Sequence, residues 1–241
     1  MSAAYFEEAE ALLNHAQGDL QDIKRAYNKS LHEKKIEAAL LIQVKNLMEN
    51  LRSVLDFGAH GIYEKYCSGK KAHSKVCFPY ATLSDNEFQF QKRVEKCIPG
   101  ISMARPEAII ELKSFQHFSH PDNRWLPIFM ELNNENKHQR LTPQVRKENK
   151  ELKLTSGGAS LSMLGGGSLV VGNNSEFLFG GTVIPGGIYN VDNPPAMHGP
   201  GKVEIITWVS FNFSSNNQPV LPFLEQSLGG VRKILTSLVV V

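Results

Sequence analysis

Cysteine is scarce in this chain, and Cys67, Cys77 and Cys97 form no CxxC pair. An odd set so spaced excludes the disulfide framework of a small secreted domain and suits reduced thiols in a cytosol. With His73 the three give C-x5-H-x3-C-x19-C, a ligand mix zinc accepts at a spacing that fits no known finger, so no metal is expected. Long apolar runs are missing too. The longest, AALLI at 38–42 and the terminal LTSLVVV, fall well short of the roughly 20 residues that span a bilayer, so no membrane role is expected. The opening MSAAYFEEAEALLNHAQ is acidic where a signal peptide needs positive charge, which reads as a mature cytoplasmic start. Net charge is nearly absent: 26 Lys and Arg against 24 Asp and Glu leave +2, and nothing in the global balance demands nucleic acid. The run GGGS at 165–168 lacks the Lys-Ser/Thr of a phosphate loop, and no cofactor is expected.

What is present is ordinary folded-protein material, 41% hydrophobic and 21% charged over 241 residues. Apolar residues recur at three- and four-residue spacing over 2–29 (Phe6, Ala9, Leu13) and 32–66 (Leu40, Val44, Leu47, Leu51, Val54), which predicts an antiparallel helical pair. Ser30 is the expected N-cap of the second helix. The stretch from Cys67 to Pro106 reads as a loop whose FPY packs on the helices, then a short helix capped by Ser84. Pro106 opens a helix through Phe118, and another ends in LNNENKHQ. After Lys150 the pattern shifts to short β-prone runs between Gly, Asn and Ser turns, closing on GKVEIITWVSFNF at 201–213. PVLPFLEQSLGGVRKILTSLVV then returns to helical periodicity broken by Gly229 and Gly230. The expected fold is α+β: an N-terminal helical bundle domain over 1–150, and over 151–241 a Gly-rich antiparallel β-layer with a terminal helix that packs back on the bundle.

Two polar constellations stand out. Arg52, Asp56 and His60 follow at i, i+4 and i+8, so one helix face offers a cation, an anion and an imidazole in a row. Asn134, Lys137 and His138 share a face at the end of a helix that began by burying aromatics, with Arg140 and Arg146 beyond. Each has a bland counterpart. Lys and His near a helix C-terminus complement its dipole, and an Arg–Asp pair can simply fix helix register.

These residues carry a resemblance. NLRSVLD, then a loop with FPY, then a helix ending LNNENKH is similar to a widespread group of uncharacterised bacterial proteins with an N-L-R-S-A-L-D helix, an F-P-I loop and an N-x-D-K-H helix end. Asn50, Arg52, Asp56, Asn134, Lys137 and His138 fit that pattern, while Asn136 stands where it has Asp, which removes a carboxylate. The helical plan also resembles the HEPN superfamily of ribonuclease and nucleotide-binding domains, which carry an R-x4-6-H motif and often act as dimers. Here seven residues separate Arg52 from His60.

Two functions follow as expectations. One is a metal-independent ribonuclease or phosphodiester-cleaving domain of a bacterial stress or defence system, with Arg52, Asp56, His60, Asn134, Lys137 and His138 as its catalytic set. His138 or His60 would be the base, Arg52 or Lys137 the charge stabiliser, and Lys70, Lys71, Lys75, Arg93, Lys96, Arg146, Lys147 and Lys150 an RNA-holding patch. The other is a non-catalytic binding or interaction module, sensor- or antitoxin-like, in which the polar row only ties helices together. Either would suit a homodimer, since Gly-rich strands with apolar runs such as LVV and FLF offer edges for pairing.

Overall fold

The computed structural model describes residues 2–30, 37–67, 76–138, 141 and 143–241, with backbone only for Ser30, Asn136, Lys137, His138 and Trp208. His73, Lys70, Lys71, Lys75 and Arg140 of the sequence expectations lie outside the described residues. The protein is mixed α+β, with a long N-terminal helical pair, antiparallel sheets and a C-terminal helix. It divides into two compact units: 1–145 together with 212–241, and 146–211. The expected boundary at residue 150 falls inside a strand, and the terminal helix clusters with the N-terminal helices.

In the helical unit, α1 (Ser2–Ser30) and α2 (Ala38–Tyr66) are the principal pair. Ala9, Leu13, Ala16, Leu20, Ile23 and Tyr27 recur at alternating four- and three-residue steps, and all are at most 2% exposed. Leu40, Val44, Leu47, Leu51 and Val54 repeat that rhythm on α2. Such spacing gives each helix one continuous apolar seam, and each large side chain it buries contributes about 1.5–3 kcal/mol of transfer energy. Two expected boundaries move. Ser30 is the last residue of α1 and does not cap α2, whose N-cap is Glu37. Helix α3 (Glu87–Cys97) is capped by Asn86 rather than Ser84, through a reciprocal box in which Asn86 Oδ1 accepts the Gln89 N–H and Gln89 Oε1 accepts the Asn86 N–H, so each side chain satisfies one orphan donor.

A one-turn helix, α4 (Ile101–Ala104), precedes α5 (Pro106–Ser114), which stops short of the expected Phe118. Buried Gln116 ends it by turning its Nε2 back to the Leu112 carbonyl. A 3-10 turn at Pro121–Arg124 leads into α6 (Trp125–His138), and α7 (Val220–Val240) packs against α1, α2 and α6. The Gly229–Gly230 pair does not break α7. A Cβ on Gly230 would sit 2.1 Å from Cζ2 of Trp125, so the glycine admits the indole of α6 against the helix backbone, whereas Gly229 has nothing within 4 Å.

In the strand unit, β1 (Gln144–Ser156) is central in a three-stranded sheet between β2 (Ala159–Leu164) and β5 (Lys202–Phe213), and β3 (Leu169–Phe179) pairs with β4 (Thr182–Tyr189). Both hairpins turn through a Gly-Gly pair at positive φ, +52° and +82° at Gly157–Gly158 and +53° and +83° at Gly180–Gly181, the geometry of a two-residue type I′ turn. Leu152, Leu154, Val171 and Ile184 form the unit's buried core, ringed by half-buried Leu161, Met163, Phe179 and Tyr189. Among the described residues no helix is long and apolar enough to cross a membrane.

Candidate functional site

The two polar motifs meet at a residue that neither contains. Tyr80, the last of FPY, is half-buried, with Arg52 Cζ of α2 5.5 Å from its ring centroid and Arg93 Cζ of α3 5.6 Å away. Its hydroxyl accepts from Asn134 Nδ2 on α6 at 3.4 Å. Three helices therefore converge on one phenol ring, and two cations share its π-face attraction, worth about 0.5–2 kcal/mol for each close pair.

Both guanidiniums already hold carboxylates. Arg52 Nε donates to Asp56 Oδ2 at 3.3 Å one helical turn on, and Nη1 reaches Met130 Sδ on α6. Asp56 is committed further, since its Oδ1 accepts the Phe78 backbone N–H at 2.8 Å, which fixes the start of FPY to α2. Arg93 Nη2 donates to Asp85 Oδ2 at 2.7 Å, and that carboxylate also accepts the Thr82 N–H at 2.8 Å. Burial alone would raise the Asp85 carboxyl, but the Thr82 backbone and hydroxyl, then Arg93 and His117, outweigh it and hold the group below the usual carboxylate range. Gln116 Oε1 accepts from Ala81 N at 2.9 Å. Every residue from Phe78 to Thr82 except Pro79 is thus tied by side chain or backbone to a helix or its flank.

The expected site residues separate. Arg52, Asp56 and Asn134 gather round Tyr80. His60 does not join them: its ring stacks on Tyr5 of α1, centroids 5.1 Å apart and 15° from parallel. At i+8 from Arg52 the helix has drifted its side chain round toward α1. Gly61 beside it leaves the space that the Phe6 ring fills, 2.6 Å from where a Cβ would stand. Asn50 faces α1 too, its Nδ2 3.4 Å from Asp19 Oδ2 in a cavity of about 280 Å³ lined also by His15, Asp22 and Asn46. The side chains of Lys137 and His138 lie outside the described residues. Of the expected basic patch, Arg93 pairs with Asp85, Arg146 with Glu148 and Lys150 with Asp192.

Sequence reasoning missed Tyr80, Arg93 and Asp85 as partners. One signal was available: an aromatic after Pro79, with an acidic residue, Asp85, five positions on and a basic one, Arg93, two helical turns beyond that. Among the described residues no group of three or more His, Cys, Asp or Glu side chains is placed to hold a metal. No family model, curated protein or solved structure matches the chain.

Proposed function

We propose that the protein is a non-catalytic binding or interaction module in which the Arg52–Asp56–Tyr80–Asn134 network is structural. The single observation that carries this reading is the mutual satisfaction of its polar groups: Arg52 holds Asp56, Asp56 holds Phe78, and Asn134 holds Tyr80. A half-buried charge so partnered locks one arrangement of helices and loop, whereas a base or charge stabiliser needs a face left open for substrate. The paired long helices with further helices packed on them support a HEPN-like plan, as an analogy of helical arrangement. Exposed Val170, Leu178 and Ile188 in the β3–β4 hairpin support self-association, which sedimentation velocity tests: a monomer at every accessible concentration removes that part.

A second reading, a metal-independent ribonuclease, draws on one observation. Asn134 lies beside Tyr80 with cations at Arg52 and Arg93, so the α6 turn that carries Lys137 and His138 follows directly from this cluster. Incubation with structured and single-stranded RNA in excess EDTA separates the two. The first reading expects intact RNA, and Arg52→Ala to lower stability by about 1–3 kcal/mol through the half-paired Asp56 it leaves. Cleavage that His138→Ala or His60→Ala abolishes at unchanged unfolding midpoint overturns it in favour of the second.

A further inference from the structure

Cys77 and Cys97 come together where the sequence put them twenty positions apart. Their Sγ atoms are 3.1 Å apart, and the Cys77 N–H donates to the Cys97 carbonyl at 3.3 Å. Backbone on both sides is held: Phe78 next to Cys77 is tied to Asp56, and Cys97 closes α3 with Ile98 N–H bonded to Val94. Cys77 is half-exposed and Cys97 buried, so one sulfur is reachable from solvent and the other waits behind it.

We propose that Cys77 and Cys97 form a peroxide-reactive dithiol site, with Cys77 the attacking thiol and Cys97 the resolving one. The Cys77 thiolate attacks one oxygen of a hydroperoxide and the O–O bond breaks. Cys77 becomes a sulfenic acid, and the departing alkoxide or hydroxide takes up the Cys77 proton as alcohol or water. Cys97 Sγ then displaces hydroxide from the sulfenic sulfur, the S–S bond forms, and its proton leaves with that hydroxide as water. Two thiols and one hydroperoxide give one disulfide, one alcohol or water, and one water. Closing the gap needs an approach of about 1 Å, to a bond of about 2.05 Å.

The electrostatics support that order. The hydrogen bond between the two sulfurs holds Cys77 down to about 7, with Arg52 and Lys96 assisting against burial and Asp56, while the same bond and burial push Cys97 up. The thiol that ionises is therefore the one peroxide can reach. Since Phe78 follows Cys77 directly, the bond would staple the FPY loop to the end of α3, next to the Arg52–Tyr80–Arg93 cluster.

The test is hydrogen peroxide titration of the full-length reduced protein at pH 7, read by intact mass and by a non-reducing peptide map. The expected product is lighter by two hydrogens, carries a Cys77–Cys97 peptide with Cys67 unmodified, and forms at least roughly tenfold faster than in the same protein unfolded in guanidinium. In Cys97→Ser, Cys77 should stop at a sulfenic acid that dimedone traps. Should that variant fail to fold, the wild-type map decides alone. A disulfide to Cys67 or to a second chain, both thiols oxidised independently, or no rate advantage over the unfolded chain would each overturn the assignment.

Discussion

The helical and strand units bury their side chains on different scales. The first keeps a seam of fully buried residues along α1, α2, α6 and α7, including Tyr27, Met48, Phe129 and Val231. The second gathers a core cluster of only Leu152, Leu154, Val171 and Ile184 among its described residues and leaves Val170, Leu178 and Ile188 more than 60% exposed. Long helices repeat a contact every turn, whereas a short two-sheet layer with glycine at its turns has few positions that face inward. Stability should therefore reside in the helices, and the strands should be the region that opens first.

The sharpest way to break that contrast is to cut into each core. Phe129→Ala is expected to cost about 3–5 kcal/mol in denaturant unfolding, and native-state hydrogen exchange should show β3–β4 amides opening well before those of α2. Equal protection in both units would erase the difference. Gly230→Ala comes next, at about 1–3 kcal/mol of lost stability, because the new methyl meets Trp125 rather than space.

Alkaline pH probes the helical unit at another point. Burial raises Tyr27 above its ordinary value even though its hydroxyl is hydrogen-bonded to Gln144. A group raised in the folded state gives stability that is whole below its unfolded pKa of about 10 and lost as pH climbs past it. Unfolding midpoints should fall above pH 10, and Tyr27→Phe should flatten the fall. Gly229→Ala is expected to have the smallest effect and the opposite sign. With open space around it on an exposed turn, the change should add about 0.5–1 kcal/mol, measurable as a raised thermal midpoint.

The two glycines also mark the limit of what could be read from sequence. Periodicity alone gave the α1–α2 pair, the strand-rich middle and the terminal helix, since each writes its period into the order of apolar residues. Gly229–Gly230 looked like a break because propensity sees a missing side chain and not the indole that occupies its place. The start of β1 at Gln144 was hidden for a related reason: QVRKENK alternates charge with few apolar residues, so no buried face announced a strand. In the site, Arg52 with Asp56 was legible as an i, i+4 pair. Tyr80 was not, because the contacts that make it a hub come from α2, α3 and α6, far apart in sequence. His60 was misplaced with Asp56 since helical spacing gives a shared face but not which neighbour each end of that face meets.

The central claim is that Tyr80 joins Arg52 to the rest of the network as a structural tie. A double-mutant cycle of Arg52→Ala and Tyr80→Ala in denaturant unfolding tests it most directly. A coupling energy of roughly 0.5–2 kcal/mol is expected, the range for a partly desolvated cation on a tyrosine ring. Additivity to within about 0.3 kcal/mol would contradict it, leaving Arg52 energetically separate from the loop it lies against.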